Sequence, residues 1–248
     1  MRVRSLDGLV EFYSGMLGLR LVHNDADTCA FALGPDCARL VFRTAEVTSF
    51  ESRPNDFYWK IGLTVKDLDA AVAHMRSRGL DVPTPSQFRD IGYMTKVRDP
   101  CGFPIELLQQ GFAGNPQPLG PGHPIGTQAT FAHITLRVTD LARSTRFFGE
   151  TLGMRLMSVQ PVPERAFCLY FFAWSDEALP HSELEAVANR EWLWQRPYTL
   201  IELQLLLSPT AAVRKVGPTS AGFDGFGYRL AEAGQETRVS MDDMAALT

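Results

Sequence analysis

The clearest alternation of apolar and polar residues lies in residues 132–141, and it predicts a half-buried strand. Ile134, Leu136 and Val138 alternate there with polar side chains, which is the period-2 pattern of a strand with one buried face. Asp140 follows as a candidate helix N-cap. The next four positions have the spacing of one helical face: Leu141, Thr145, Phe148 and Leu152. Gly153 then supplies the left-handed residue that ends a helix.

The same strand–helix unit occurs twice more in the chain. A shift of 135 positions aligns residues 147–156 with residues 12–21. A shift of 73 positions aligns residues 138–141 with residues 65–68. Each copy is followed by further predicted strands, so the pattern indicates a repeat architecture.

Four modules follow from this repeat. The first has a helix over 5–17 and further strands over 19–22, 29–33 and 38–43. The second has a strand over 60–65, a helix over 68–78, a loop over 81–90, and strands over 91–97 and 104–108. The third opens at residue 131 and has strands over 155–159, 167–174 and 199–207, with a polar insertion over 175–196 and a short helix at 184–188. The fourth begins at 222–230 and has no room to finish.

The best domain boundary follows the second module. Residues 111–126 contain five glycines and four prolines among few apolar residues, as a linker does. We therefore predict a first domain of paired modules over 1–112 and a linker over 113–126. A second domain, with an incomplete fourth module, is predicted over 127–248.

Bulk composition narrows the class of protein. The chain is 45% hydrophobic and 21% charged, which is ordinary for globular proteins. A net charge of −4 argues against nucleic acid or an anionic membrane as the partner. We expect neither a membrane span nor a secretory signal, because no long apolar run is present. The four cysteines lack a CxxC pair, which favours free thiols and a cytoplasmic location.

The repeat and one further motif carry a family resemblance. Residues 99–107 read Asp-Pro-Cys-Gly-Phe-Pro-Ile-Glu-Leu, and together with the tandem units they resemble the vicinal oxygen chelate superfamily. The resemblance implies an α+β fold in which βαβββ modules pair into cup-like mixed sheets. It also implies a small-molecule ligand and, in many members, a divalent metal at the centre of the cup.

Within that superfamily, the third module is similar to glyoxalase I of the eukaryotic type. The matching stretches are residues 134–138, 147–154, 169–174 and 199–203. The resemblance implies that His133 and Glu202 are metal ligands, that Glu202 is also the catalytic base, and that Arg137 contacts the glycine carboxylate of glutathione. The implied substrate is the glutathione adduct of methylglyoxal. Imidazole and carboxylate ligands suit Zn, Ni, Fe or Co.

The chain departs from the family pattern at several ligand positions. Lys60 stands at the first-strand position of the second module, where only Glu106 remains on the return strand. The fourth module has Gly225 at the corresponding position, and Leu206 replaces a family Asn. We therefore expect a low metal occupancy and a Lys60–Glu106 salt bridge. A second subunit that lends ligands would make the protein a homodimer.

Three functions remain open from the sequence. The leading one is a glyoxalase I-like protein that acts on or binds a small molecule, and as an enzyme it would be a metal-dependent lyase of that type. The alternative is a non-catalytic protein that binds or sequesters a small molecule. An extradiol-type dioxygenase is less favoured, because His133 and Glu202 do not complete its ligand set of two His and one carboxylate.

Simpler interpretations also remain open for individual side chains. His133 could line an open cup without binding metal, and Glu202 could face solvent. Trp192, Trp194 and Tyr198 could roof a pocket or only clamp the insertion onto the sheet.

Overall fold

The computed structural model describes residues 1–35, 37–112, 116–126, 129–208, 210–229, 236–244 and 247. Residues 113–115 of the predicted linker, residues 127–128 of the predicted second domain and residue 230 of the predicted fourth module lie outside this part. The predicted α+β fold of strand-rich modules is confirmed.

The strands fall into three modules and a terminal hairpin. The first module holds β1 to β4, at Arg2–Val3, Arg20–Asn24, Thr28–Ala32 and Arg39–Thr44. The second holds β5 to β8, at Tyr58–Val65, Ser86–Phe88, Gly92–Arg98 and Pro104–Gln109. The third holds β9 to β12, at Thr130–Val138, Arg155–Val162, Phe167–Ala173 and Leu200–Leu206. The hairpin consists of β13 and β14, at Gly225–Arg229 and Glu236–Ser240.

Helices are few and short. The α-helices are α1 at Leu68–Ser77, α2 at Leu141–Thr145 and α3 at Val187–Leu193. Two π-helical segments cover Glu11–Met16 and Arg146–Thr151, and a 3₁₀ turn covers Pro163–Arg165. None of the helices in the described residues is both long and apolar enough to cross a membrane.

The caps of the repeated helices explain where they begin and end. The Asp140 side chain accepts a hydrogen bond from Arg143 N at 2.9 Å, which confirms the predicted N-cap. Asp67 caps α1 in the same way. The helices of the first and third modules both end on a glycine with positive φ, Gly18 at 69° and Gly153 at 67°. The repeated unit therefore has the same local chemistry at both ends.

Some predicted elements differ from the structure in their bounds or their type. The first helical segment starts at residue 9 rather than residue 5, with its π-helical part at Glu11–Met16, because Gly8 adopts a φ of 75° that interrupts a helix. Ser86–Phe88 forms an edge strand against β7 where a loop was predicted. The insertion's helix lies at Val187–Leu193 and not at 184–188, and it follows a non-helical Ala186.

The second and third modules share one sheet. Its strand order is β10-β11-β12-β9-β5-β8-β7-β6, with β9 and β5 antiparallel at the centre. The parallel pairs β12–β9 and β5–β8 flank that centre. The sheet thus joins strands from both sides of the linker, while the division of the chain into 1–112 and 127–248 stays a prediction.

The first module forms a separate four-stranded sheet that packs against the rest. Its order is β1-β4-β3-β2, and β1 also contacts the terminal hairpin region through Gly222. Tyr13 is fully buried and donates a hydrogen bond to Asp99 of the second module at 2.9 Å. Phe42 and Phe103 add an edge-on aromatic contact between the same modules. Aromatic burial and one polar anchor therefore join these modules.

Candidate functional site

Four polar side chains converge from the four central strands of the eight-stranded sheet. Lys60 comes from β5, Glu106 from β8, His133 from β9 and Glu202 from β12. None of the four is more than 4% exposed. Burying ionisable groups costs free energy unless they are paired, so these four side chains are expected to pair with one another. We call these four residues the central cluster.

The sheet register gives the central cluster an approximate two-fold arrangement. Gly62 lies opposite His133 on one side and opposite Glu106 on the other. Thr135 lies opposite Lys60 and opposite Glu202 in the same manner. Each module therefore contributes one side chain from its first strand, Lys60 or His133. It also contributes one carboxylate from its last strand, Glu106 or Glu202, which lies opposite the residue two positions further along the first strand. Because side chains alternate along a strand, all four point to the same face.

Gly62 is a site residue that the sequence analysis missed. A Cβ atom at this position would collide with Cε1 and Nε2 of His133 and would lie 2.7 Å from Nδ1. Only glycine leaves room for the imidazole ring there. The glycine within an otherwise apolar strand pattern was the available signal, since such a residue often marks a close approach.

The contacts within the central cluster link Lys60 and His133 to both carboxylates. Lys60 Nζ forms a hydrogen-bonded ion pair with Glu106 and lies 3.9 Å from Glu202 Oε1. His133 Nε2 lies 3.6 Å from Glu106 and 3.9 Å from Glu202. Thr135 donates a hydrogen bond to Glu202 Oε1 at 2.8 Å. The predicted Lys60–Glu106 salt bridge is present, and it adjoins His133 and Glu202.

Electrostatics keep the Glu106 carboxylate ionised. Burial alone would raise its pKa, but the Lys60 ammonium, with smaller contributions from His133 and Lys96, holds the pKa well below its ordinary value. Lys96 Nζ lies 3.5 Å from Glu106 Oε1. Burial lowers the pKa of Lys96 itself. Two lysines thus balance the two buried carboxylates.

The residues present do not fit a divalent metal. Among the described residues, no group of three or more His, Cys, Asp or Glu is arranged to hold one. A protonated amine has no lone pair to offer, and Lys60 already neutralises Glu106. At a separation of about 4 Å, a monovalent and a divalent cation repel each other by about 8 kcal/mol at an effective dielectric constant near 20. The roles of His133 and Glu202 as metal ligands therefore stay predictions.

Arg137 is buried beside the central cluster, and its hydrogen bonds go to the protein. Its Nε donates to Gln204 at 2.8 Å, and its Nη1 donates to the Asp56 carbonyl at 3.0 Å. Its guanidinium carbon lies 4.8 Å from the Trp59 ring centroid. Burial lowers the pKa of Arg137 to about 10. Contact between Arg137 and a ligand carboxylate stays a prediction.

A cavity of about 330 Å³ opens above the central cluster. Lys60, Glu106 and Glu202 line it, together with the exposed Lys96 and Arg165. Its other walls are apolar and include Phe88, Ile91, Met94, Phe167, Phe171 and Trp194. Small-molecule sites have this size and this mixture of apolar walls with a few polar groups.

Two tryptophans shape the cavity. Trp59, which the sequence analysis missed, lies 4.3 Å from Lys60 Nζ and 4.9 Å from Lys96 Nζ. Trp194 lines the cavity and packs so closely on Gly92 that a Cβ there would lie 2.7 Å from its Cη2. Trp192 instead stacks with Arg196. Of the aromatic residues predicted to roof a pocket, Trp194 therefore has that position.

Comparisons with known proteins agree with the repeat seen in the sequence. A family model described as the Glyoxalase/Bleomycin resistance protein/Dioxygenase superfamily matches residues 1–107 and 130–191. The lactoylglutathione lyase GLX1 of Arabidopsis thaliana is 26% identical over 187 residues, which is 71% of this chain and 60% of that protein. A lactoylglutathione lyase of Oryza sativa subsp. japonica is 32% identical over 81 residues, 33% of this chain and 23% of that protein. This chain thus spans 60% or less of the length of these relatives.

Solved structures show the same fold. Glyoxalase I from Zea mays superimposes with a TM-score of 0.58 at 18% identity, covering 84% of this chain and 66% of that one. A putative dioxygenase from Bacillus subtilis subsp. subtilis str. 168 gives a TM-score of 0.52 at 18% identity, covering 85% of this chain and 63% of that one. At such identities the likeness concerns the fold alone.

Proposed function

The chain belongs to the Glyoxalase/Bleomycin resistance protein/Dioxygenase superfamily, and we propose that it binds a small organic anion in the cavity above its central cluster. The observation that carries the proposal is the cavity itself, with its apolar walls and its exposed cations. Binding in this form needs no divalent metal, because Lys60 already supplies the positive charge between the carboxylates.

The charge of the cavity lining favours an anionic group on the ligand. Lys60, Lys96 and Arg165 face Glu106 and Glu202, and the two lysines are engaged with the carboxylates. Arg165 lines the mouth of the cavity, with its guanidinium carbon 4.1 Å from the Phe88 ring centroid. Planar guanidinium groups suit carboxylates and similar anions. Arg165 is therefore the proposed contact for the anion.

The walls favour an apolar, flat body for the remainder of the ligand. Phe167, Phe171 and Trp194 contribute ring surfaces, and aromatic walls give a ligand a large contact area at small entropic cost. A volume of about 330 Å³ is at the lower end of ligand sites. The expected ligand is therefore a compact aromatic or aliphatic acid.

A pair of matched probes tests this proposal. Quenching of tryptophan fluorescence should show saturable binding of 2-naphthoate, and the neutral 2-naphthamide should bind about tenfold more weakly. Arg165→Gln should weaken binding of the acid by about tenfold, since hydrogen bonds to charged groups contribute roughly 1.5–3 kcal/mol. The exposed Arg146→Gln is the charge-matched control and should change nothing. Equal affinities for acid and amide, or no saturable binding of either, would contradict the proposal.

A second candidate is a glyoxalase I-type lyase activity on the glutathione adduct of methylglyoxal. The lactoylglutathione lyases among the relatives favour it, and so does the convergence of Glu106, His133 and Glu202. Such an isomerisation moves a proton between adjacent carbons, and Glu202 is the candidate base. An extradiol-type dioxygenase is less favoured, because His133 is the one imidazole in the central cluster.

We also propose a cellular location and an assembly state for the protein. We place it in the cytoplasm, in line with its four free cysteines. A homodimer is the proposed assembly if a second subunit contributes to binding. Sedimentation of the purified chain measures this directly.

A further inference from the structure

We propose that Gln160 sets the ligand specificity of the cavity above the central cluster, by hydrogen bonding to a neutral polar group of the ligand. The inference rests on the proposed function, because it concerns a ligand bound in the same cavity. It narrows the ligand class to organic acids whose apolar body carries a hydroxyl or amide group remote from the acid group. Three features support it: the place of Gln160 in the cavity wall, the state of its amide, and the engagement of the other buried polar groups.

Gln160 interrupts an apolar part of the cavity wall. On β10, Pro161 is exposed while Gln160 and Val162 are buried, so these two share the inward face of the strand. Gln160 is paired with Leu169 of β11, and Val162 is paired with Phe167. All four inward residues line the cavity, and Gln160 is their polar member. Since Gln160 is only 3% exposed, its amide is enclosed among apolar side chains.

The carbonyl oxygen of the Gln160 amide, Oε1, is buried and has no hydrogen-bond partner within the described part of the chain. Buried amides are nearly always hydrogen-bonded, because an unpaired one loses its hydration without compensation. Trp194 lines the same cavity, and its buried Nε1 also has no partner among the described residues. An acceptor and a donor without partners in one cavity indicate that a bound molecule supplies the missing hydrogen bonds.

The other buried polar side chains that line the cavity are already engaged with the protein. Lys60 and Glu106 form an ion pair with each other. Glu202 accepts a hydrogen bond from a neighbouring threonine at 2.8 Å. Thr95 donates a hydrogen bond to a backbone carbonyl, also at 2.8 Å. Of the buried side chains in this lining that carry both a donor and an acceptor, Gln160 is therefore the one left to pair with a ligand.

Gln160 and Arg165 have different roles in recognition. Arg165 is exposed at the mouth and provides a charge for the acid group, whereas Gln160 is buried and neutral. An amide has an acceptor oxygen and a donor nitrogen, so a hydroxyl or amide group of the ligand can pair with it. A ligand without such a group leaves the Gln160 amide unpaired and therefore binds less tightly. The expected preference is for ligands that combine an acid group with a distal neutral polar group.

Titration calorimetry on the full chain tests the inference with 2-naphthoate and its 6-hydroxy and 7-hydroxy derivatives. At least one hydroxy acid should bind about five- to tenfold more tightly than 2-naphthoate, which corresponds to one additional hydrogen bond. Gln160→Met keeps the size of the side chain and removes the amide, so that hydroxy acid and 2-naphthoate should then bind within about twofold of each other. The Tm of ligand-free Gln160→Met should be unchanged or higher, because the variant no longer buries an unpaired amide.

Gln204→Met is the matched control, because this buried amide accepts a hydrogen bond from Arg137 at 2.8 Å. It should lower the Tm and leave the preference for the hydroxy acid unchanged. If 2-naphthoate binds but the unaltered protein shows no preference, or if the preference persists in Gln160→Met, this inference alone is overturned. A lower Tm for Gln160→Met would also overturn it, since the amide would then have a structural partner. Absence of saturable binding by all three acids would overturn the cavity proposal as well.

Discussion

Lys60 and His133 occupy equivalent positions on the two central strands of the sheet, 73 residues apart, and both reach the same two carboxylates. One is an ammonium and the other an imidazole. In a symmetric site, both positions would provide a lone pair to a shared ion. Here the Lys60 ammonium offsets the negative charge of the carboxylates from within the central cluster.

The first prediction concerns catalysis. The chain should form little or no S-lactoylglutathione from methylglyoxal and glutathione, with or without added Ni²⁺ or Zn²⁺, because Lys60 repels a metal from the central cluster. The assay follows thioester formation spectrophotometrically. Strong metal-dependent turnover that His133→Ala abolishes would show that Lys60 does not exclude the metal. Turnover unchanged by His133→Ala would place the activity elsewhere.

The second prediction concerns the stability supplied by Lys60. Lys60→Met should lower the free energy of unfolding at pH 7 by about 3–5 kcal/mol, because it leaves the buried Glu106 carboxylate without its cation. Lys66→Met, at a partly exposed neighbouring position, should cost less than about 0.5 kcal/mol. Urea unfolding measures both.

The pKa of Glu106 determines how the stability lost in Lys60→Met depends on pH. We call this loss in the free energy of unfolding the deficit. In the unaltered protein, the pKa of Glu106 is lower in the folded state than in the unfolded state. The ion pair with Lys60 therefore stabilises the fold at pH values above the unfolded-state pKa. This stabilisation is lost as the pH falls through the folded-state pKa. In Lys60→Met, burial raises the pKa of Glu106, which then takes up a proton in mild acid. The deficit should therefore shrink as the pH falls from 7 towards 3. A deficit independent of pH would mean that lost packing, rather than charge, causes it.

The third prediction concerns Gly62. Gly62→Ala should destabilise the protein by about 1–3 kcal/mol, because the added methyl group overlaps the His133 ring in a packed interior. Gly217→Ala is the matched control, since a Cβ there meets no atom within 4 Å. Thermal unfolding of both variants gives the comparison. If Gly62→Ala is as stable as the control, His133 moves more freely than its packing indicates.

The fourth prediction concerns Asp99. Burial raises the pKa of this carboxyl to about 6, although hydrogen bonds from Phe103 N and Tyr13 oppose the rise. Because the pKa of Asp99 is higher in the folded state than in the unfolded state, the protonated carboxyl stabilises the fold. This stabilisation is fully present below about pH 4 and is lost as the pH rises through 6. The loss amounts to about 3 kcal/mol for a shift of roughly two pKa units.

Asp99→Asn should remove this fall in the free energy of unfolding with rising pH, because an amide does not titrate. Urea unfolding at several pH values between 4 and 7 should show a flatter profile for the variant than for the unaltered protein. The exposed Asp242→Asn serves as control and should keep the original profile. Parallel profiles for all three proteins would mean that Asp99 titrates normally in the folded state.

The sequence by itself determined the local units of this protein. Alternation along residues 132–138 predicted β9, Asp140 predicted the start of its helix, and Gly153 predicted the end. These signals are short-range, since caps and pleats depend on a few neighbouring residues. The polar residues of the central cluster came from the family resemblance instead, which implied ligand positions at Lys60, Glu106, His133 and Glu202.

Only the tertiary structure decided which of these residues meet. The sequence does not specify that β5 pairs with β9, and that pairing is what brings Lys60 beside Glu202 and His133 beside Glu106. Strand pairing across 70 residues depends on the packing of whole modules, which no local pattern encodes. The need for glycine at position 62 has the same origin, since the ring that fills its space comes from another module.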